Sequence, residues 1–191
     1  MSSFPGSPKL VKAGFVLLNA TDAKPTIIVF QYNPETVVRR LESVNAAVPL
    51  PPPPGVPAPR EVVTFTLALD ATDKLQVGDP LTQQTGLLPA ISALELLLYP
   101  VRGALTIWVS GNRRIMPVRI TEMQIAEQAF DPALNPIRAE VAVTLLVLKD
   151  ADFANDPRGR ALWDAHFATL QQLAKTVYDA GSLSALGLTA I

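Results

Sequence analysis

Two proline-fixed corners constrain the fold of this chain more than any other feature of its sequence. The first spans residues 31–35 and contains Asn33-Pro34. The second spans residues 130–138 and contains Asn135-Pro136. Proline fixes φ, has no N–H to donate, and holds the residue before it in an extended conformation. Each corner adjoins an apolar, β-branched run, so both predict sharp turns at the ends of β-strands.

Runs with a period of two residues predict a mainly β fold. In the clearest run, residues 61–70, the side chains of Val63, Phe65 and Leu67 share one face. Further strands are predicted over residues 12–19, 26–32, 36–44, 104–109, 114–120, 122–130 and 137–148, with a bulge near residues 121–123. Residues 26–32 are apolar on both faces, which predicts a strand that is covered on both sides.

Two segments have helical periodicity. Residues 87–98 predict a central helix with Thr85 as its cap and Pro89 in its first turn. This helix is apolar nearly all round, so we expect one surface to pack on the sheet and a second surface to face a neighbouring subunit. Residues 160–179 predict an amphipathic helix, and residues 71–85 predict polar turns. The apolar stripe of the amphipathic helix consists of Leu162, Trp163, Phe167, Leu170, Leu173 and Val177.

The order of these elements is typical of an α+β fold that is mainly β. An antiparallel sheet of this length curls into a barrel or a sandwich. The predicted architecture is therefore a β-barrel or β-sandwich with one central helix, plus a C-terminal helix. We assign residues 9–149 to the β domain and residues 150–191 to a C-terminal helical extension.

Composition limits the classes of partner. The formal net charge is −1, so no basic field is present for nucleic acid. No apolar run is long enough to span a membrane, and residues 1–8 do not have the pattern of a secretory signal. Hydrophobic residues make up 49% of the chain, which predicts a subunit interface. The Pro-rich stretch 49–59 predicts a stiff surface loop, or a rim that a neighbouring subunit contacts.

The titratable residues do not form a recognisable catalytic or metal-binding pattern. Cysteine is absent from the sequence, which excludes disulfides and thiolate metal sites. His166 is the only histidine and Asp164 lies on a different helix face, so we expect a structural or solvent-facing histidine. The clustered aspartates fall at strand ends, where aspartate favours turns. They are Asp70, Asp73, Asp150, Asp152 and Asp156. Trp108 and Trp163 are expected to be packing anchors. We predict no catalytic, cofactor or metal site, and no enzymatic activity.

The two corners, in this order and with a helix between them, resemble the contractile injection system tube protein family. The resemblance covers about residues 10–149 and is carried by Tyr32, Asn33, Pro34 and Glu35 and by Phe130, Asp131, Asn135, Pro136, Ile137, Arg138, Ala139, Glu140 and Val141. It implies a phage tail-tube-like fold without catalytic activity. It also implies that Asn33 and Asn135 set turns, and that Arg138 and Glu140 make a polar contact across a subunit boundary.

The resemblance further implies partners and a location. The chain is expected to form a homohexameric ring between a spike or hub protein and the inner tube protein. Assembly is expected in the bacterial cytoplasm, within a particle that is retained or released. Residues 150–191 lack the LysM pattern that some relatives carry there, so we expect the C-terminal helix to contact baseplate or sheath components. The extra helix favours the tube initiator over a repeating tube subunit.

Two other classes of function remain open from the sequence. A monomeric β-barrel that binds a small apolar ligand in an internal cavity would also account for the aliphatic content. An enzyme with an unrecognised site is the second alternative. A measurement of the oligomeric state distinguishes these hypotheses, because only the tube interpretation predicts a ring.

Overall fold

A computed structural model describes residues 10–19, 24–43, 58–99 and 104–178. The predictions for residues 1–8, for most of the Pro-rich stretch 49–59 and for the tail 180–191 lie outside these ranges. Within them the chain folds as an α+β protein that is mainly β, which confirms the predicted fold class.

The strands form one seven-stranded antiparallel sheet. They are β1 (Gly14–Leu18), β2 (Thr26–Val29), β3 (Val37–Glu42), β4 (Arg60–Asp70), β5 (Leu105–Val109), β6 (Ile115–Phe130) and β7 (Pro136–Val147). Their order across the sheet is β2-β1-β5-β6-β7-β4-β3. The β1–β5 and β4–β7 pairs join strands that are distant in sequence, whereas the other pairs join strands that follow one another.

The predicted segments 114–120 and 122–130 form the single strand β6. Its pairing with β7 shifts register between Ile120 and Glu122, which confirms the predicted bulge. The hydroxyl of Thr121 donates to the carbonyl oxygen of Thr144 at 3.2 Å. A bulge increases the local twist, so the long β6–β7 ribbon can coil with the rest of the sheet.

Aromatic contacts show that the sheet curls on itself. Three strands separate β1 from β4, which corresponds to about 19 Å in a flat sheet with strands about 4.8 Å apart. The ring centroids of Phe15 on β1 and Phe65 on β4 are nevertheless only 6.4 Å apart. Phe65 also stacks on Trp108 at 5.4 Å, and Phe30 meets Phe15 edge-on at 5.1 Å. The sheet is therefore an open barrel whose interior is filled by side chains.

The segment between β4 and β5 is more helical than predicted. Its helices are α1 (Thr72–Gln76), α2 (Pro80–Thr85), α3 (Leu88–Glu95) and a 3-10 helix, Leu96–Leu98. The helix α2 forms because the side chain of Asp79 accepts the N–H of Thr82 at 2.9 Å and Pro80 lies in the first turn. The prediction that Thr85 caps the next helix is wrong, because Thr85 ends α2 and Leu87 precedes α3.

The helix α3 buries one side within the chain. Ile91 and Leu94 belong to the barrel core, whereas Leu88, Leu96 and Leu98 along the same segment are exposed. The predicted packing of this helix on the sheet is therefore confirmed, and the predicted contact of its outer face with a neighbouring subunit stays a prediction. Among the described residues, no second layer covers that outer face.

The C-terminal helix α4 (Pro157–Tyr178) follows a 3-10 helix, Asp150–Phe153. Leu162 and Trp163 pack on a second apolar cluster. This cluster consists of Leu105, Ile107, Leu148 and Phe153. The helix starts against Phe153, because the ring lies where a Cβ of Gly159 would be. The rest of the predicted apolar stripe is exposed, from Phe167 to Val177.

Candidate functional site: two corners and two free sheet edges

The first corner is held by the side chain of Asn33. Its Oδ1 accepts the N–H of Ala13 at 2.8 Å, and its Nδ2 donates to the carbonyl oxygen of Val11 at 2.9 Å. The N–H of Phe30 donates to the carbonyl oxygen of Ala13 at 2.9 Å, so these bonds extend the β1–β2 ladder. The side chain of Asn33 thus supplies pairing beside Pro34, which has no N–H of its own.

Gln31 joins the first corner to β4. Its Nε2 donates to the carbonyl oxygen of Asp70 at 2.6 Å, and its Oε1 accepts the N–H of Asp70 at 2.9 Å. The strand β3 pairs with β4 only from Arg60 to Phe65, so in the described ranges no strand lies on that side of Asp70. The amide of Gln31 therefore takes the place of a paired strand residue for the backbone of Asp70.

Asp131 organises the second corner. Its Oδ1 accepts the N–H groups of Ala133 and Asn135 at 2.8 Å each, and its Oδ2 accepts Nδ2 of Asn135 at 2.8 Å. The bonds from Asn135, followed by the bond from Ala133, lower the pKa of Asp131 below its ordinary value. Leu134 has a φ of 64°, which side chains other than glycine rarely adopt. The carboxylate bonds hold this turn in place.

The second corner is attached to the helices. Nδ2 of Asn135 donates to the carbonyl oxygen of Gln84 at 3.1 Å, and the N–H of Leu87 donates to the carbonyl oxygen of Pro136 at 2.9 Å. Gly86 lies between these contacts with a φ of 56°, and a Cβ there would lie 2.5 Å from the carbonyl oxygen of Pro136. The close approach of the two backbones requires glycine.

Both corners meet at Asp70, the last residue of β4. Nε of Arg138 lies 3.0 Å from Oδ2 of Asp70, because these residues are paired in the β4–β7 register. Hydrogen bonds from Thr72, followed by the charge of Arg138, lower the pKa of Asp70. Arg138 therefore has a partner in its own chain, and its predicted contact across a subunit boundary stays a prediction. Glu140 is exposed on the outer face of β7.

An apolar cleft of about 520 Å³ opens at this end of the barrel. Its walls are the segment around Phe30, the end of β4, and the helices α2 and α3. The buried side chains of Leu69 and Leu94 line it, and the exposed side chains of Lys12 and Lys74 stand beside them. Tyr32 of the first corner also lines this cleft and is exposed.

The two edge strands of the sheet expose aliphatic side chains. On β2, Ile27 and Val29 are 61% and 59% exposed; on β3, Val38 and Leu41 are 56% and 59% exposed. In the part of the chain that the structure describes, each of these strands has a pairing partner on one side only. The prediction that residues 26–32 are covered on both sides is therefore wrong for the single chain.

Three of the five clustered aspartates accept backbone N–H groups in turns, as predicted from their positions, whereas Asp73 lies in α1 and Asp150 pairs with Arg160. Asp70 accepts the N–H of Thr72 at 2.7 Å, Asp152 that of Lys149 at 2.9 Å, and Asp156 that of Arg158 at 3.0 Å. Across residues 10–19, 24–43, 58–99 and 104–178, no group of three or more His, Cys, Asp or Glu could hold a metal ion. None of the helices in those ranges is long and apolar enough to cross a bilayer.

The remaining predicted site residues lie at the surface or serve packing. Phe130 is exposed at the end of β6, opposite the buried Pro136. Trp108 is fully buried in the barrel, which agrees with its predicted role as an anchor. His166 was predicted to be either structural or solvent-facing. It is buried, so it does not face solvent.

Sequence reasoning missed three structural features. Gln31 and Gly86 are common loop residues, and nothing local predicts that their partners are Asp70 and Pro136. The third feature is an ion pair between the half-buried Arg39 and the buried Glu61, with Nε and Oε1 2.6 Å apart. A signal for it was present, because Glu61 continues the inward face of Val63 and a charge there needs a partner.

No protein-family model matches the chain, and no curated protein matches it. The features of this structure that bear on function are the two corners, the apolar cleft and the edge strands β2 and β3.

Proposed function

We propose that this protein is a ring-forming structural subunit of a contractile injection system, placed between the spike or hub and the inner tube. The observation that carries the proposal is that β2 and β3, at the two ends of one open sheet, each pair on one side only within the described residues and each expose two aliphatic side chains. The resemblance of the two corners to the tube protein family supports it.

The edges favour association of identical copies. A free strand edge presents unpaired N–H and C=O groups, and proteins usually protect it with charge, proline or a covering segment. The residues of β2 are Thr-Ile-Ile-Val and include no charge. Contact of β2 in one copy with β3 in the next uses two different surfaces, so repetition closes a ring when the rotation fits. The resemblance implies a hexamer.

The other features have roles within this proposal. The corners keep one end of the barrel rigid, and their exposed members, Tyr32, Phe130 and Glu140, are positioned for contacts with the hub or the inner tube protein. The exposed stripe of α4 contacts baseplate or sheath components. The ring assembles in the bacterial cytoplasm and has no catalytic role or cofactor. Nucleic acid and membrane are not among its partners.

Charged edge variants test the proposal. Val29→Lys and Val38→Lys place a solvated cation on β2 and on β3, and Val77→Lys is the control at a site that is 82% exposed and outside the sheet. Light scattering during size exclusion, with electron microscopy, should show rings for the wild type and Val77→Lys, and monomers with unchanged circular dichroism for both edge variants. A wild-type monomer at high concentration, or rings that persist in both edge variants, would refute the proposal.

The apolar cleft favours a second candidate, a monomer that binds a small apolar ligand. The barrel interior is filled around Phe15 and Trp108, so the ligand would occupy the cleft of about 520 Å³ beside α2 and α3. Binding would raise the melting temperature with ligand concentration. Titration with medium-chain fatty acids and alcohols tests this. A monomer stabilised by them favours the binding protein, and a ring without such stabilisation favours the structural subunit.

A further inference from the structure

His166 is a buried polar side chain that the proposed function does not use. It lies on α4, is 5% exposed, and its ring centroid is 5.9 Å from that of Trp163. Neither ring nitrogen has a hydrogen-bond partner among the described residues. A neutral imidazole has one donor and one acceptor, and an imidazolium has two donors and a positive charge, so protonation adds the desolvation cost of a charge to two hydrogen-bonding groups without partners.

The charged groups of the sheet that act on His166 are Glu61 on β4 and Arg39 on β3. Glu61 is buried, and its Oε1 is bonded to Nε of Arg39 at 2.6 Å. Burial lowers the pKa of His166, the Glu61 carboxylate opposes this shift, and the Arg39 guanidinium adds to it. Because Glu61 is already bonded to Arg39, an imidazolium would have to compete for that carboxylate.

Other charged groups near α4 are solvated. The carboxylates on the elements that α4 contacts, and on α4 itself beside His166, are exposed: Glu122, Glu127, Asp150, Asp152 and Asp164. The basic groups on these elements are also exposed: Arg119, Arg158, Arg160 and Lys175. The charge that reaches the ring from the sheet is therefore the Arg39–Glu61 pair, which is close to neutral in sum.

Few side chains attach α4 to the barrel. Leu162 and Trp163 are partly buried against the barrel and His166 is buried, whereas the stripe continues exposed from Phe167 onward. The start of the helix is fixed where Gly159 meets Phe153. A change of charge at His166 therefore acts on one of a small number of contacts, and the helix beyond Gly159 can leave as a unit while the barrel stays folded.

We propose that His166 makes the attachment of α4 to the sheet pH-dependent, so that the helix is docked while the imidazole is neutral and detaches in acid. This inference is independent of ring formation. An ordinary histidine has a pKa of about 6.5. In the docked state the pKa of the His166 imidazole is lower than this value. Docking of α4 is therefore at its most favourable above about pH 6.5. As the pH falls from there to the docked-state pKa, the docking equilibrium decreases about tenfold per pH unit.

Two measurements on the full chain test this inference. Because His166 is the only histidine, its C2–H resonance gives the docked-state pKa directly in a nuclear magnetic resonance titration. Hydrogen exchange of backbone amides, corrected for the intrinsic effect of pH, gives the opening of α4 between pH 7.5 and 5.0. His166→Phe keeps an aromatic ring without a titrating group, and Asp164→Asn is the control at an exposed neighbour.

The expected results are specific to α4. In the wild type and Asp164→Asn, opening of α4 rises about tenfold per pH unit below about 6.5, while the amides of β4 and β7 keep their protection. In His166→Phe, opening does not change with pH. A histidine pKa at or above 6.5, or equal loss of protection in His166→Phe, overturns the inference. If His166→Phe does not fold, His166→Leu replaces it, and the wild-type titration decides in either case.

Discussion

Removal of the Gln31 amide is the most direct test of how the first corner is joined to β4 across the opening of the barrel. Gln31→Ala deletes two hydrogen bonds to the backbone of Asp70, at 2.6 and 2.9 Å. At about 0.5–1.5 kcal/mol for each bond, the free energy of unfolding falls by about 1–3 kcal/mol. For a domain of this size, that loss lowers the melting temperature by about 2–12 °C.

Gln31→Glu sharpens the same test, because it keeps the shape of the side chain. At neutral pH the introduced carboxylate cannot donate to the carbonyl oxygen of Asp70, and it places a negative charge beside that residue. We expect a larger loss than in Gln31→Ala. The extra destabilisation fades as the pH falls and the introduced carboxyl, whose ordinary pKa is about 4.3, becomes protonated.

Urea denaturation followed by circular dichroism, at a concentration where the oligomeric state is the same for all variants, measures both changes. Gln171→Ala is the control, because Gln171 is an exposed residue of α4 and its truncation should change stability by less than about 0.5 kcal/mol. If Gln31→Ala and Gln31→Glu are both as stable as this control, Gln31 does not close the barrel.

Two further substitutions test the core and the second corner. Leu145→Ala removes a fully buried side chain of β7 and should cost about 2–5 kcal/mol in urea denaturation, whereas the exposed Leu96→Ala should cost little; equal effects would contradict the assigned core. Gly86→Ala strains a φ of 56° and pushes a Cβ against Pro136, whereas Gly111→Ala strains a similar φ of 73° with no atom within 4 Å. We therefore expect a larger loss of stability in Gly86→Ala, with faster amide exchange at Leu87, and equal losses would refute the required close approach.

The second corner illustrates how far the sequence predicts local structure. Asp131, Asn135 and Pro136 form the predicted turn, because aspartate and asparagine side chains bond backbone N–H groups a few residues away. These bonds depend on neighbours in the chain, so the sequence contains the necessary information. The further bonds of Asn135 to Gln84, and of Pro136 to Leu87, depend on how α2 packs on the barrel.

The alternation of apolar residues likewise predicts which faces of β4 and β7 point inward. Phe65 and Val143 are paired in register and buried, as their periods of two residues require. Periodicity does not distinguish a strand that another element of the same chain covers from one that is left exposed. For this reason the sequence predicts a strand covered on both sides over residues 26–32, although Ile27 and Val29 are exposed in the single chain.

The sequence alone determined the β-strands, the bulge in β6, the positions of the two corners and the amphipathic C-terminal helix. Each of these depends on backbone conformation and on the order of neighbouring side chains, which the chain carries locally. Only the tertiary structure decided that both corners meet at Asp70, that Gln31 closes the barrel, and that His166 is buried near the Arg39–Glu61 pair. These contacts join residues far apart in sequence, and they exist because the curled sheet brings its two ends together.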